Sequence, residues 1–248
     1  MQRFIHLRRT KTVATAVLAL VASLVLPVLA DSPTERPIDA PNGMHLSVKI
    51  IGPVTQAADL QIICVFKHDP AGDKYIEAMK DFNDKLGGLL SSVRDRGEFA
   101  GDTGETFMFT PPADSIAAKR VLLIGVGEDK NLSIDTLRLV GRIAAREAVH
   151  TNAAHVAFAP ALRDQGSTRI DVGDCDATVA EQFLLAYDTE LRLQTQGLAP
   201  KASIEDFTIE AGRKFFAGAA DKVSASAASA ADQIKKRDDT AFVAPSKH

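Results

Sequence analysis

The ten residues Ala118-Lys-Arg-Val-Leu-Leu-Ile-Gly-Val-Gly127 decide how the chain is read. Within them, the strand expected over 120–126 holds the run Val121-Leu-Leu-Ile124 without polar alternation, the pattern of a strand covered on both faces. Gly125-Val-Gly127 then turns the chain. Ser133, with Asp135 just behind it, is a helix-start signal ahead of Ile134, Leu137, Val140, Ile143 and Ala144, which recur at helical spacing. A doubly covered strand feeding an amphipathic helix belongs to an α/β protein, with a sheet between helical layers.

The flanking sequence repeats the alternation. Upstream, residues 105–110, closed by Pro111-Pro112, read as a strand, as do residues 44–51 and 59–67, bounded by Gly52-Pro53 and Asp69-Pro-Ala-Gly72. Tyr75, Ile76, Met79, Phe82, Leu86, Leu89, Leu90 and Val93 predict one core-facing helix of about five turns. Residues 31–43 hold three prolines among polar residues and are expected to be a flexible lead-in. Downstream, 154–159 and 204–209 read as strands. Between them Asp176 is expected to cap a helix displaying Val179, Phe183, Tyr187 and Leu191.

Residues 211–237 are alanine-rich, with Phe216, Ala219, Val223, Ala227, Ala230 and Ile234 in a narrow stripe. They predict a helix of about 40 Å, packed along the domain or presented to a partner. It closes in Lys235-Lys-Arg237, favourable at a helix C-terminus, before a polar tail over 238–248. The expected architecture is a three-layer αβα sandwich around a mixed, mostly parallel sheet, with residues 44–210 as its body.

The first 30 of the 248 residues read as a signal peptide. Arg3, Arg8, Arg9 and Lys11 precede an apolar run that ends in Val28-Leu-Ala30, and the polar sequence after it favours cleavage before Asp31 over an uncleaved anchor. A periplasmic or secreted protein without a membrane segment after cleavage is expected. Beyond the leader, 25 Lys and Arg face 32 Asp and Glu, and the chain has two tyrosines and no tryptophan. Neither a basic stripe nor a stacking platform is present, so nucleic acid is not an expected partner. Export permits a Cys64–Cys175 disulfide, yet Cys64 lies in an apolar run where a buried inert thiol is the commoner role, and both readings stay open.

No catalytic constellation is visible. His45, His68, His150 and His155 lack helical metal-ligand pairing, and Asp171, Asp174 and Asp176 lack the closing glutamate of a calcium loop. Gly125 and Gly127 lie where a phosphate-cradling loop would, and Gly101 and Gly104 in the stretch 97–106 could wrap a ligand. Glu128-Asp129 beside them would repel phosphate, and glycines in a connection more often serve backbone freedom. These four glycines are the candidate ligand-binding residues; no catalytic residue, metal or cofactor is expected.

Leu86-Gly-Gly-Leu89, the stretch Gly97-Glu-Phe-Ala-Gly-Asp-Thr-Gly-Glu-Thr106 and Ala118 to Gly127, followed in order by Leu137-Arg-Leu-Val-Gly141, His155-Val-Ala-Phe158 and Glu181-Gln-Phe-Leu-Leu-Ala-Tyr187, resemble the N-terminal domain of the leucyl aminopeptidase family, peptidase family M17. The resemblance runs from 59 to about 237 and implies a macro-domain-like fold. In that family the chemistry belongs to a C-terminal domain with two divalent metals, and residues 238–248 do not match the segment that leads into it. The resemblance therefore implies an exported, non-catalytic module that binds a protein or small ligand. An accessory or homo-oligomerising subunit for a catalytic chain is one alternative, and a binder of a nucleotide or ADP-ribose-like molecule at Gly125 and Gly127 is another.

Overall fold

The computed structural model of the chain describes residues 34–243, so the expected leader lies outside it. Seven strands form one sheet: β1 (Glu35–Asp39), β2 (His45–Lys49), β3 (Leu60–Phe66), β4 (Thr106–Phe109), β5 (Val121–Gly127), β6 (His155–Ala159) and β7 (Asp206–Glu210). Their spatial order is β1-β2-β7-β6-β3-β5-β4. The five inner strands run parallel, and β1 and β4 close the edges antiparallel. Every residue of β3 and β5 is buried, and for β5 this is what the run Val121-Leu-Leu-Ile124 requires.

Alternation along the strands divides two cores. Leu46, Val48, Ile62, Ile124, Phe158 and Phe207 face α3 (Ile134–His150), α4 (Val172–Thr195) and α5 (Phe216–Lys235). Ile63, Val65, Val121 and Leu123 face α1 (Glu77–Lys85) and α2 (Leu89–Asp95). The result is the three-layer αβα sandwich with a mixed, mostly parallel sheet. Phe183 of α4 stacks on Phe207 of β7, ring centroids 3.8 Å apart, which fixes helix to sheet. Ser133 caps α3 by accepting from the Thr136 N–H at 3.2 Å.

Several expectations are corrected. Residues 35–39 are not a flexible lead-in but β1, paired to β2 with Ile38 in the core; Pro37 is tolerated because an edge strand is hydrogen-bonded on one side only. The single helix expected over 73–93 is two, because Gly87 and Gly88 take φ of 67° and 79°, a left-handed step that ends one helix and starts the next. The apolar spacing runs through the break because both helices face one core. Asp171, not Asp176, caps α4: its carboxylate accepts from the Gly173 N–H at 3.0 Å, whereas Asp176 lies inside the helix, fully buried.

The last helix begins at Phe216 after a turn at Gly212, so it spans about 30 Å rather than 40 Å. Ala219, Ala220, Val223, Ala227 and Ala230 are buried, their small side chains letting α5 lie closely along α4 and over β1 and β2. The stripe is therefore packed along the domain and is not left for a partner. Cys64 and Cys175 are both buried free thiols, without a bridge. Among the described residues, no helix is long and apolar enough to cross a membrane.

Candidate functional site

Gly101, Gly104, Gly125 and Gly127 do come together, but they close on one another. The Gly104 N–H donates to the Gly125 carbonyl at 2.9 Å, and the Gly127 N–H to that of Gly101 at 3.0 Å. A methyl group on Gly125 would overlap the Asp102 carbonyl, and one on Gly101 would overlap that of Phe66, so absent side chains are what let this loop lie on the end of β5. The backbone N–H groups of Ala100, Gly101 and Asp102 converge as an anion nest, and the Glu105 carboxylate already fills it at 3.2, 2.7 and 3.0 Å.

An ion cluster braces the same loop. Arg94 is buried, donating through Nε to Asp73 at 2.5 Å and through Nη2 to the Phe66 carbonyl at 2.7 Å. His68 and Tyr75 complete the shell around Asp73 at 3.0 and 3.1 Å. Burial pushes the Asp73 carboxyl up, but the bonds from Arg94, the Asp69 amide and His68 together outweigh it and hold it at about 2. With its charges paired, this cluster reads as a brace for the segment after β3.

In an open α/β sheet, ligands enter where the crossover connections diverge, outside the carboxyl ends of the strands. Here the chain leaves β3 toward β5 and leaves β6 toward β7, so that point lies between β3 and β6. Gln165 fills it: its Oε1 accepts from the Phe66 N–H at 3.0 Å, and its Nε2 donates to the carbonyls of Cys64 and Ala161 at 2.9 and 3.0 Å. This amide continues the ladder where β6 has ended.

Beside the plug a cavity of about 160 Å³ opens around the carboxyl ends of β2, β6 and β7. Ile51, Pro53, Met79, Pro160, Val172 and Phe215 make it largely apolar, and Glu77, Asp164 and Glu210 are the acidic residues among its lining. Glu210 is 4% exposed; its two oxygens are enclosed, with no hydrogen-bond partner within bonding geometry among the described residues. Burial pushes this carboxyl up to about 8, an effect the amide of Gln61 offsets only in part. Burial also raises Asp164, and the nearby charge of Glu77 adds to it. Arg163, the one cation of this lining among the described residues, lies over the Phe215 ring, 5.0 Å from its centroid.

Glu77 and Ala161, two cavity residues, hold φ of 46° and 51°. Left-handed backbone at a residue with a side chain is strain of the kind that gathers at ligand sites. A second, larger trough over β1, β2 and β7 is open and polar, and its His155 already pairs with Asp206 at 2.5 Å. The crevice is thus the better candidate, and none of the four glycines lines it. Sequence reading missed Glu210, although Thr208 and Glu210 alternate with Phe207 and Ile209 and so place a carboxyl on one face of an interior strand.

A mixed sheet between two helical layers, with its opening at the strand ends, defines a macrodomain-like fold. The Oceanobacillus iheyensis macrodomain with MES bound superposes with a TM-score of 0.54 over 77% of this chain and 96% of that one, at 10% identity. A Trypanosoma brucei macrodomain in complex with ADP gives 0.51 over 77% and 73%, at 16% identity. A tomato leucine aminopeptidase mutant gives 0.56 over 78% of this chain and 37% of that one, at 21% identity.

The sequence profile of the N-terminal domain of the cytosol aminopeptidase family matches residues 62–196, and the chain belongs to that family. A protein of Pseudomonas syringae described as a "probable cytosol aminopeptidase" is 33% identical over 97 residues, 39% of this chain and 18% of that protein. The cytosol aminopeptidase of Pseudomonas aeruginosa is 32% identical over 89 residues, 36% and 17% of the two. The chain spans about a fifth of the length of these curated relatives.

Proposed function

We propose that this chain acts as an exported, non-catalytic binding module that takes a small organic ligand into the crevice at the carboxyl ends of β2, β6 and β7. The observation that carries this reading is the crevice itself: a largely apolar cavity at the carboxyl ends of the strands, two of whose lining residues, Glu77 and Ala161, hold left-handed backbone. The family match supports a non-catalytic role, because it lies in the N-terminal domain.

The relatives by fold include macrodomains solved with ADP. A diphosphate at Gly125 and Gly127 would have to displace Glu105 from its nest, and among the described residues the crevice lining has more acidic residues than basic ones. These features favour a different ligand. For the accessory-subunit alternative, the α5 stripe offers no bare face, because α4 packs against it.

Native mass spectrometry of the protein recovered from the exporting cell tests the proposal, together with an aminopeptidase assay with added manganese or zinc. Retained small-molecule mass that Phe215→Ala releases, with the leader removed, is the expected result. Metal-dependent turnover abolished by a chelator overturns the non-catalytic reading. A retained second chain with the crevice empty shifts it to the accessory role.

A further inference from the structure

We infer that the free edge of β4 pairs antiparallel with the same edge of a second copy of this chain, about a two-fold axis at Met108. This edge is separated from the crevice strands by β3 and β5, and the inference stands whatever the crevice binds.

The strand order leaves β1 and β4 open on their outer sides, and the two edges are built differently. β1 carries charges at Glu35, Arg36 and Asp39 and a proline at Pro37, and Arg36 pairs with Asp221 of α5; these are the devices that keep a sheet edge from pairing. β4 has none of them. Its register against β5 runs without a bulge, and residues 106–110 carry no charge. The nearest acid, Glu105, is folded back into the nest at Ala100, Gly101 and Asp102. Phe107, Met108 and Phe109 are half-buried, and Thr106 and Thr110 are exposed.

The ladder sets the direction of the free backbone groups. The Glu105 carbonyl accepts from the Gly125 N–H at 2.8 Å, so alternation turns Phe107 and Phe109 toward β5 and leaves the N–H and C=O of Thr106, Met108 and Thr110 pointing outward. Outside that ladder, the described residues make no backbone hydrogen bond to these three. Pro111 falls in the β5-facing register, so it removes no outward donor.

A second copy is selected as the occupant by the sequence Thr106-Phe-Met-Phe-Thr110, which reads the same in both directions. Antiparallel pairing centred on Met108 sets Thr106 against Thr110, Phe107 against Phe109 and Met108 against itself. The outward-pointing residues are then the ones that meet as hydrogen-bonded pairs, each pair exchanging two bonds. Threonine facing threonine and ring facing ring are favourable cross-strand pairs, and the Phe107 and Phe109 rings, tilted on one another with centroids 6.0 Å apart, continue as one aromatic row across the junction. Glu105 falls opposite Pro111, so no like charges meet. An isologous contact of this kind closes at the dimer.

Sedimentation of the full chain tests the inference, with a monomer–dimer equilibrium in the micromolar range as the expected result. Thr106→Lys combined with Thr110→Lys sets lysine against lysine at both ends of the junction and is expected to weaken the dimer at least about tenfold. Thr106→Glu combined with Thr110→Glu is expected to do the same, and mixing the two variants to restore a dimer with one chain of each. Amide hydrogen exchange of the wild type gives a reading that needs no variant: protection at Thr106, Met108 and Thr110 is expected to rise with protein concentration, and protection in β1 to stay constant. A chain that remains monomeric at millimolar concentration overturns the inference. So does a dimer that the lysine variant leaves intact, a pair of oppositely charged variants that do not associate, or a dimer whose formation leaves exchange in β4 unchanged.

Discussion

Lys49 and Glu210 are cross-strand partners that do not pair. The ammonium group of Lys49 reaches outward to Glu35 on the edge strand, and the Glu210 carboxyl stays buried with neither oxygen satisfied. Because the ladder sets the two opposite one another, the missing ion pair follows from where the side chains go and not from distance along the sheet. Burial without a counter-ion favours the neutral acid, and Glu210 is therefore held at about 8.

This raised value fixes the sign of a pH effect. The unfolded chain releases the Glu210 proton near 4.5, and the folded chain keeps it to about 8. Between those values the native state binds more protons, so stability falls as pH rises, by about 1.4 kcal/mol per unit at most from this group. Buried Asp176, also pushed up by burial, adds to the slope. Denaturant unfolding of wild type and Glu210→Gln at pH 5, 6, 7 and 8 is expected to show a difference that grows with pH in favour of the variant. A difference independent of pH would mean that Glu210 ionises freely in the fold.

Asp73 predicts the opposite limb. Its carboxyl is held at about 2 against an ordinary 3.8, so its contribution is present above 3.8 and is lost as pH falls toward 2. Arg94 is 1% exposed in its side chain, and Asp73→Asn would leave that cation buried without its counter-ion. The variant is expected to lose about 3–5 kcal/mol at neutral pH and to show a flatter acid limb than wild type. Chemical denaturation at pH 7 and pH 3 checks both. A loss under about 1 kcal/mol would show that Arg94 finds other partners.

Two glycines separate packing from propensity. A side chain at Gly125 meets backbone atoms of Gly101 and Asp102, which cannot turn aside, so Gly125→Ala is expected to cost about 3 kcal/mol or more. Gly218 lies in α5 with open space where a side chain would go, so Gly218→Ala is expected to stabilise by about 0.5–1 kcal/mol. Thermal unfolding of both variants checks the pair. If Gly125→Ala is tolerated, the loop over 97–106 is not packed on β5 as described.

How much of this was legible in the sequence depended on how local each signal was. Residues 121–124 show double burial because every position is apolar, and Ser133 announces its helix because the hydroxyl itself makes the cap. The break at Gly87-Gly88 was hidden because the apolar spacing survives it. Strand β1 was hidden because a polar, proline-containing segment becomes a strand only through β2. Asp171 and Asp176 look alike in sequence, and tertiary packing decides which caps and which is buried. For the crevice, the alternation of Thr208 and Glu210 with Phe207 and Ile209 is visible, but it reads as a solvent face until the topology makes β7 an interior strand.

Cys64 and Cys175 give the last prediction. Both thiols are buried, Cys64 on β3 and Cys175 in the first turns of α4. Burial pushes each well above the ordinary thiol range, and the neighbouring Asp176 adds to the effect. The thiolate is the species that attacks an alkylating reagent or a disulfide, so neither residue is expected to react in the folded state, even in an oxidising medium. Maleimide labelling without reductant is expected to modify neither thiol in the native protein and both after unfolding. The intact mass should show no loss of two hydrogens. A bridge found instead would require Cys64 and Cys175 to meet before the core closes over them, placing α4 against β3 early in folding.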